Sequence, residues 1–391
     1  MNPEKSRLNE NREGGKRWHL WGPYLSERQW GTVREDYSAD GDAWNYFPHD
    51  HARSRAYRWG EDGIGGICDY KQRLCFAFAF WNGQDPFLKE RLFGLSGPEG
   101  NHGEDVKEIF FFEDNTPTHS YMRMTYRYPQ AAYPYEELVR QNGQRTRTEP
   151  EFEIWDTGVL RENRYFDLTI EYAKAAPDDI LIRVTARNCG PALAPLHLLP
   201  TLWFRNTWSW AADVSRPNLR VGDDHSVAMG VIEASHDALG EYRLVAEAAG
   251  PLLFTENETN RERLYGVPNN CRHVKDSFHD AVVRGNAAAV NQDQMGTKAA
   301  AHYQFVLAPG ETRSFRLRLQ KILQPALHAF GDFDRIFEQR RQEADEFYRA
   351  LAPACLSAEH CAIQRQALAG MLWTKQYYHY VVEEWLEGDP A

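Results

Sequence analysis

The sequence has only six cysteines among its 391 residues, and none of them forms a CxxC pair. That number is too small for a disulfide scaffold, so we expect buried free thiols in a reducing compartment. Cys68 and Cys75 lie in apolar surroundings, which favours inert thiols over nucleophiles.

Long apolar segments and excess positive charge are also missing. The longest apolar run, Leu74–Trp81, is far shorter than the roughly 20 residues that span a bilayer. The N-terminus, MNPEKSRLNENREGGKR, has no apolar core of a signal peptide, which predicts a cytoplasmic protein. A formal net charge of −11 disfavours nucleic acid and anionic membranes as partners.

Several catalytic and cofactor motifs are absent. The glycines at 63–66 lack the strand–GxGxxG–helix context and the Walker lysine, and no GxSxG elbow occurs. His49 and His51 could share a metal ion on a strand, with His102 or His119 as further ligands. Nothing in their spacing fixes three or four ligands, so we predict ordinary hydrogen-bonded histidines, no metal and no cofactor.

What the chain does have is aromatic residues, at 13% of the sequence. Aromatic side chains mostly fill cores, but flat apolar faces beside polar groups also suit sugar binding. Short apolar runs between turn residues dominate from residue 18 to 325, and 314–319 alternates with period two. The sequence predicts a mainly β fold: a disordered tail at 1–17 and a large β-sandwich at 18–325.

The pattern becomes helical near residue 326. Aromatic and other apolar residues recur at three- or four-residue spacing up to Pro353, which predicts a linker helix at 326–353. A second helix is predicted from about 358 to 387. It is apolar nearly all round, so we expect further helices to cover it.

The sequence resembles bacterial glucosidase-like proteins related to glycoside hydrolase family 63, which includes mannosyl-oligosaccharide glucosidase. The resemblance begins with WGPYLSERQWGTVREDYS at 21–38 and HDHARSRAYRWGEDG at 49–63. Further matching segments lie at 89–94, 100–108, 117–121 and 199–208. The resemblance covers about residues 18–387.

The resemblance implies an architecture and a reaction. The family has an N-terminal supersandwich, linker helices and an α/α toroid, so 354–391 would be the first helix of an incomplete toroid. The implied reaction is hydrolysis of an α-glycosidic bond with inversion, which needs an acid and a base carboxyl group. Both lie in the toroid in the family, so no catalytic residue is assigned here. We expect an α-glucoside or oligosaccharide and a helical catalytic domain as partners.

The candidate sugar contacts combine aromatic faces with charged groups that can bind hydroxyls. They are Trp21, Tyr24, Arg28, Trp30, Arg34, Glu35 and Asp36, followed by Trp59, Glu61 and Asp62. The alternative is that they pack the interface between sandwich and toroid.

Three functions stay open. The chain is predicted to be the N-terminal region of a glycoside hydrolase, inactive alone. It could instead be a stand-alone carbohydrate-binding or scaffold protein derived from one. A third hypothesis is catalysis by carboxylates of this chain, such as Asp36 with Glu61. Neighbours such as Glu61 and Asp62 would point to opposite faces of a strand, so they do not make an acid–base couple by themselves.

Overall fold

The regular structure is mainly β in the computed structural model, which describes residues 2–31, 47–57, 59–102, 105–209, 214–222, 229–322, 329–377 and 382–387. The strands in chain order are β1 (Trp21–Gly22), β2 (Ile64–Asp69), β3 (Leu74–Trp81), β4 (Gly94–Leu95), β5 (Asp105–Val106), β6 (Ile109–Asn115), β7 (Tyr121–Pro129), β8 (Tyr165–Ala176), β9 (Asp179–Asn188), β10 (Ala194–Phe204), β11 (Asn218–Val221), β12 (Met229–His236), β13 (Gly240–Glu247), β14 (Leu252–Thr255), β15 (Met295–Gly296), β16 (Lys298–Ala301), β17 (Tyr303–Leu307) and β18 (Thr312–Lys321). The helices are α1 (Pro3–Arg12), α2 (His49–Ala52), α3 (Tyr135–Gly143), α4 (Arg261–Tyr265), α5 (Ser277–Val282), α6 (Phe333–Leu351), α7 (Ala358–Trp373) and α8 (Val382–Glu387).

Two antiparallel sheets form a sandwich, as the sequence predicts. Sheet A has the order β1-β2-β3-β10-β16-β14, with β17 also paired to β10. Sheet B has the order β15-β11-β12-β13-β18-β9-β8-β7-β6. The predicted period-two strand at 314–319 lies inside β18, where Leu317 and Leu319 are buried. Arg316 and Arg318, on the other face of β18, form ion pairs.

The main core lies between the two sheets. It includes side chains two residues apart on β3 and β8, because alternate residues of a strand share a face. These are Phe76, Phe78 and Phe80 of β3, and Phe166, Leu168, Ile170 and Tyr172 of β8. Sheet A is also buried on its other face, where β3 presents Ala77 and Ala79. Loops therefore form a third layer over sheet A, and the candidate site lies beneath that layer.

The N-terminal segment is a docked helix, which corrects the predicted disordered tail. Asn2 caps α1 by accepting hydrogen bonds from the backbone N–H groups of Glu4 and Lys5. The buried Glu4 carboxylate accepts hydrogen bonds from the backbone of Thr118 at 2.7 Å and from the Ser120 hydroxyl at 2.8 Å. Composition alone missed α1 because its polar side chains find their partners far away in the sequence.

The linker helix α6 has the expected apolar face. Phe333, Phe337 and Ala344 pack with Tyr121 and Leu181 on the outer side of sheet B. The amphipathic spacing of the sequence thus predicted both the helix and its buried face.

The second predicted helix, 358–387, is interrupted, which corrects its extent. The helix α7 ends at Trp373, and α8 begins at Val382. The Thr374 hydroxyl donates to the Gly370 carbonyl at 3.0 Å, and the backbone N–H of Tyr377 donates to the Tyr24 carbonyl at 2.9 Å. The second of these bonds holds the chain against the sandwich directly after α7. None of the described helices has the length and apolarity needed to cross a membrane.

Candidate functional site

A small charged cavity lies between sheet A and the loop layer. Its floor includes Ala77 and Ala79 of β3 and Trp203 of β10. The two alanines are small, so they leave space between the sheet and the covering loops. The charged groups that line the cavity are Glu61, Asp62, Glu90, Arg91, Lys275 and Lys298.

Each acid in the cavity lies near a basic group. Lys298 Nζ is 2.5 Å from a Glu90 carboxylate oxygen. Arg91 bridges two acids, with its Nη2 3.6 Å from Glu90 and its Nε 3.5 Å from Asp62. Lys275 Nζ is 3.9 Å from Glu61. Three acids and three bases give the cluster a formal charge of zero.

Burial and neighbouring charge act in opposite directions on these acids. Burial raises the pKa of Glu61, although the Lys275 ammonium and a hydrogen bond from Asn257 oppose the rise. Burial also lowers the pKa of Lys275 to about 8, against the effect of Glu61. Burial works against the ionised form of Glu90 as well, but the nearby Lys298 and Arg91 cations outweigh it and lower the pKa of that carboxyl.

The cavity has a volume of about 30 Å³, which is enough for one or two water molecules. A pocket for a small organic ligand usually measures about 300–1,000 Å³, so a sugar ring does not fit here. One buried atom on the lining, Oδ1 of Asn257, has no hydrogen-bond partner among the described residues.

Four of the predicted sugar contacts belong to the covering layer near the cavity. Glu61 and Asp62 both line it. The sequence predicted that their side chains point to opposite faces of a strand, but these two residues lie in a loop. Ser26 pairs with Asp62 as an isolated bridge, which holds the preceding segment beside them. Trp30 is buried, and its indole N–H donates to the Leu92 carbonyl at 3.0 Å. Arg28 donates to the Leu95 carbonyl at 3.1 Å, and its guanidinium carbon is 5.0 Å from the centre of the Trp30 ring.

The other predicted contacts lie elsewhere. Trp21 is fully buried in the sandwich core against Tyr242, which corrects its assignment as a sugar contact because no face of the ring is open. The Tyr24 hydroxyl donates to the His19 carbonyl at 2.9 Å, and Tyr24 packs against the cluster of Ala77 and Trp203 without lining the cavity itself. Trp59 is half-buried. Arg34, Glu35 and Asp36 lie outside the described residues.

The histidines at 49–51 lie on the short helix α2 and not on a strand. The His49 ring is stacked on Tyr135, with 5.3 Å between ring centres, and burial lowers its pKa well below the usual value. Within the described ranges, no group of three or more His, Cys, Asp or Glu side chains has the arrangement of a metal site.

Sequence reasoning missed the basic half of the cluster. Arg91 lies in the matching segment 89–94, so its position there was a usable signal. Lys298 begins the apolar strand β16, where a single charge among alanines also marks a buried ion pair. Lys275 comes from a loop far along the chain, and no local pattern marks it.

Comparison with known proteins gives one informative relative, and no family model matches the sequence. The chain is 42% identical over 427 aligned residues to Uncharacterized protein YMR196W of Saccharomyces cerevisiae, and the alignment covers 99% of this chain. Similar solved structures include Polysaccharide Lyase BACCELL_00875, at 10% identity and a TM-score of 0.28, over 70% of this chain and 28% of that one. Another is a galactose mutarotase-like protein from Lactobacillus casei, at 7% identity and a TM-score of 0.22, over 54% and 72%. The names of these two proteins refer to carbohydrates, but likeness this loose carries no inference. The chain spans 39% of the length of its yeast relative.

Proposed function

We propose that this chain is the N-terminal part of a glycosidase-like protein that hydrolyses α-linked sugars with inversion. The set of long motifs between 21–38 and 199–208 carries the proposal, through its resemblance to the glucosidase-like proteins. In this proposal the sandwich at 18–325 and the linker at 326–353 support a helical catalytic domain that begins at 354 and continues past Ala391. The greater length of the yeast relative supports such a continuation.

The helix α7 gives the proposal a physical basis. Its inner side is fixed to sheet B, because the Trp373 ring stacks on Phe112 with 5.2 Å between centres and its N–H donates to the Asp114 carbonyl. Its outer side leaves Ile363 58% exposed and Met371 74% exposed. Exposed apolar side chains along a fixed helix are suited to contact with another helix. We propose that the next helices of the protein cover them.

The cavity cluster has a supporting role in this proposal. The buried ion cluster contains Glu61 and Asp62, and the bridge between Asp62 and Ser26 connects it to the segment that contains Arg28 and Trp30. That segment leads into Arg34, Glu35 and Asp36, to which we assign the contact with substrate at the entrance of the helical domain. The acid and base would come from the helical domain.

The test begins by sequencing the gene past codon 391 and by measuring the intact mass of the native protein. The complete product and residues 1–391 are then purified and given α-linked glucose disaccharides. We expect turnover by the complete product only, with β-glucose appearing first in the proton NMR spectrum because inversion changes the anomer. Turnover by residues 1–391 that is lost in Glu61→Gln would refute the proposal and locate catalysis in this chain.

A second arm tests the contact of α7. Met371→Glu should leave residues 1–391 as stable as the parent, because the side chain is exposed there. In the complete product the same change should lower the unfolding temperature, because it would bury a charge at the interface. Gln366→Glu, also on an exposed position of α7, is the matched control. If both proteins tolerate Met371→Glu, α7 has no covering partner. Sugar binding without turnover by either protein would then indicate a binding or scaffold protein.

A further inference from the structure

Two cysteines face each other across neighbouring strands of sheet A. Cys68 of β2 and Cys75 of β3 are direct partners in the antiparallel register of the hairpin. Directly opposed residues in such a pair have Cα atoms about 4.5–5.5 Å apart and side chains on the same face. A disulfide needs a Cα separation of about 4.4–6.8 Å. The hairpin therefore already has the backbone spacing of a cross-strand disulfide.

The two thiols are in contact and closed off from solvent. Both side chains are fully buried, in a cluster with Leu25, Ala77 and Trp203. Burial raises the pKa of both thiols, and a hydrogen bond from Cys75 to the Cys68 sulfur raises the pKa of Cys75 further. Because Cys75 donates this hydrogen bond to the Cys68 sulfur, Cys68 is the member of the pair whose ionised form is favoured, and this pairing distinguishes the two thiols from the inert buried cysteines that the sequence predicts.

We propose that Cys68 and Cys75 form a redox site that closes to a disulfide on two-electron oxidation by a peroxide. The Cys68 thiolate attacks one peroxide oxygen, which gives a sulfenic acid and, after proton uptake, one water. The Cys75 sulfur then attacks the Cys68 sulfur and displaces the hydroxyl as a second water. One peroxide is reduced and two thiols are oxidised. A dithiol reductant reverses the reaction.

The site is connected to the charged cavity by the register of sheet A. Cys75 pairs with Trp203 of β10, and Trp203 pairs with Lys298 of β16. Trp203 and Lys298 both line the cavity. The hairpin is therefore directly adjacent to Trp203, which forms part of the floor of the cavity. This inference does not depend on the proposed glycosidase function.

The test uses a Cys355→Ala/Cys361→Ala background, because Cys355 is exposed and Cys361 half-buried. The folded protein is treated with hydrogen peroxide, quenched, alkylated in denaturant and digested with trypsin. Cleavage after Lys71 and Arg73 separates the two cysteines unless they are bonded to each other. We expect a mass loss of about 2 Da, a linked peptide pair and a melting temperature raised by roughly 1–3 °C, all reversed by dithiothreitol.

The possible results of this experiment either support the redox site or refute it. A linked pair that forms in the folded protein and is lost in Cys75→Ala supports the site, whereas Cys271→Ala should leave it intact. If Cys68 and Cys75 stay alkylatable while the half-buried Cys189 and Cys271 are oxidised, the proposal is wrong. A gain of about 32 Da at Cys68, the mark of a sulfinic acid without bond formation, also refutes it. Because the linked peptide is read in a background that keeps both cysteines, the result does not depend on the folding of Cys75→Ala.

Discussion

Replacing Lys275 by methionine should destabilise the protein by about 3–5 kcal/mol, the usual cost of leaving one member of a buried ion pair alone. The Lys275 ammonium is fully buried, donates to the Arg55 carbonyl at 2.8 Å and lies 3.7 Å from the centre of the Tyr57 ring. Its loss leaves the Glu61 carboxylate without its nearest cation and the carbonyl without its donor. Removing both charges of the pair, in Lys275→Met/Glu61→Gln, should cost about 2 kcal/mol less than the sum of the single changes.

The assay is urea unfolding followed by circular dichroism at pH 6.5, below the Lys275 pKa of about 8, so that the ammonium is charged. The matched control is the cycle Arg164→Met/Glu162→Gln on an exposed ion pair with a separation of 2.7 Å. That cycle should show a coupling below about 1 kcal/mol. If the two cycles give equal coupling, or if Lys275 and Glu61 are additive within about 0.5 kcal/mol, the buried cluster does not behave as one unit.

Three further outcomes follow from the structure. Trp373→Ala should increase hydrogen exchange in α7 by at least 100-fold, because a buried aromatic side chain contributes about 3 kcal/mol or more, while Met371→Ala on the same helix should leave exchange unchanged. His49→Phe should flatten the loss of stability below pH 6.5: burial lowers the pKa of His49, so the unfolded state binds the proton and the folded state does not. Urea midpoints at pH 7 and 5.5 measure this, and an equally steep loss in the variant would contradict it. Gly63→Ala should destabilise the fold, since a methyl group there would overlap the side chain of a strand residue, whereas Gly370→Ala, with open space around it, should stabilise α7 by about 0.5–1 kcal/mol; opposite signs in thermal melts would contradict both.

The elements that were predictable are those whose pattern is local. The run LCFAFAFW predicted the strand Leu74–Trp81. Its phenylalanines face the core between the sheets, and the alanines that alternate with them face the cavity beneath the covering loops. The spacing of aromatic residues predicted α6 and its buried face. In both cases the residues that decide the structure are neighbours in the sequence, so a short window contains the whole signal.

The elements that were missed depend on distant partners. The polar segment Pro3–Arg12 is helical because Glu4 binds residues more than 100 positions away. The break after Trp373 follows from the bond between the Tyr377 N–H and the Tyr24 carbonyl. The site shows the same division: Glu61 and Asp62 come from a recognisable motif, but no pattern in the sequence pairs Lys275 with them.

The docking of α1 has a consequence for the order in which the chain folds. Arg7 forms an ion pair of 2.7 Å with Glu343 on α6, so α1 contacts a helix that is synthesised more than 300 residues later. At about 5–20 residues per second, synthesis of the intervening chain takes roughly 20–70 seconds. The Thr118 and Ser120 donors to the Glu4 carboxylate are made earlier, about 115 residues after it, but α6 is absent until the end of that interval. The contact of α1 with α6 is therefore completed only after the strands of the sandwich have been synthesised.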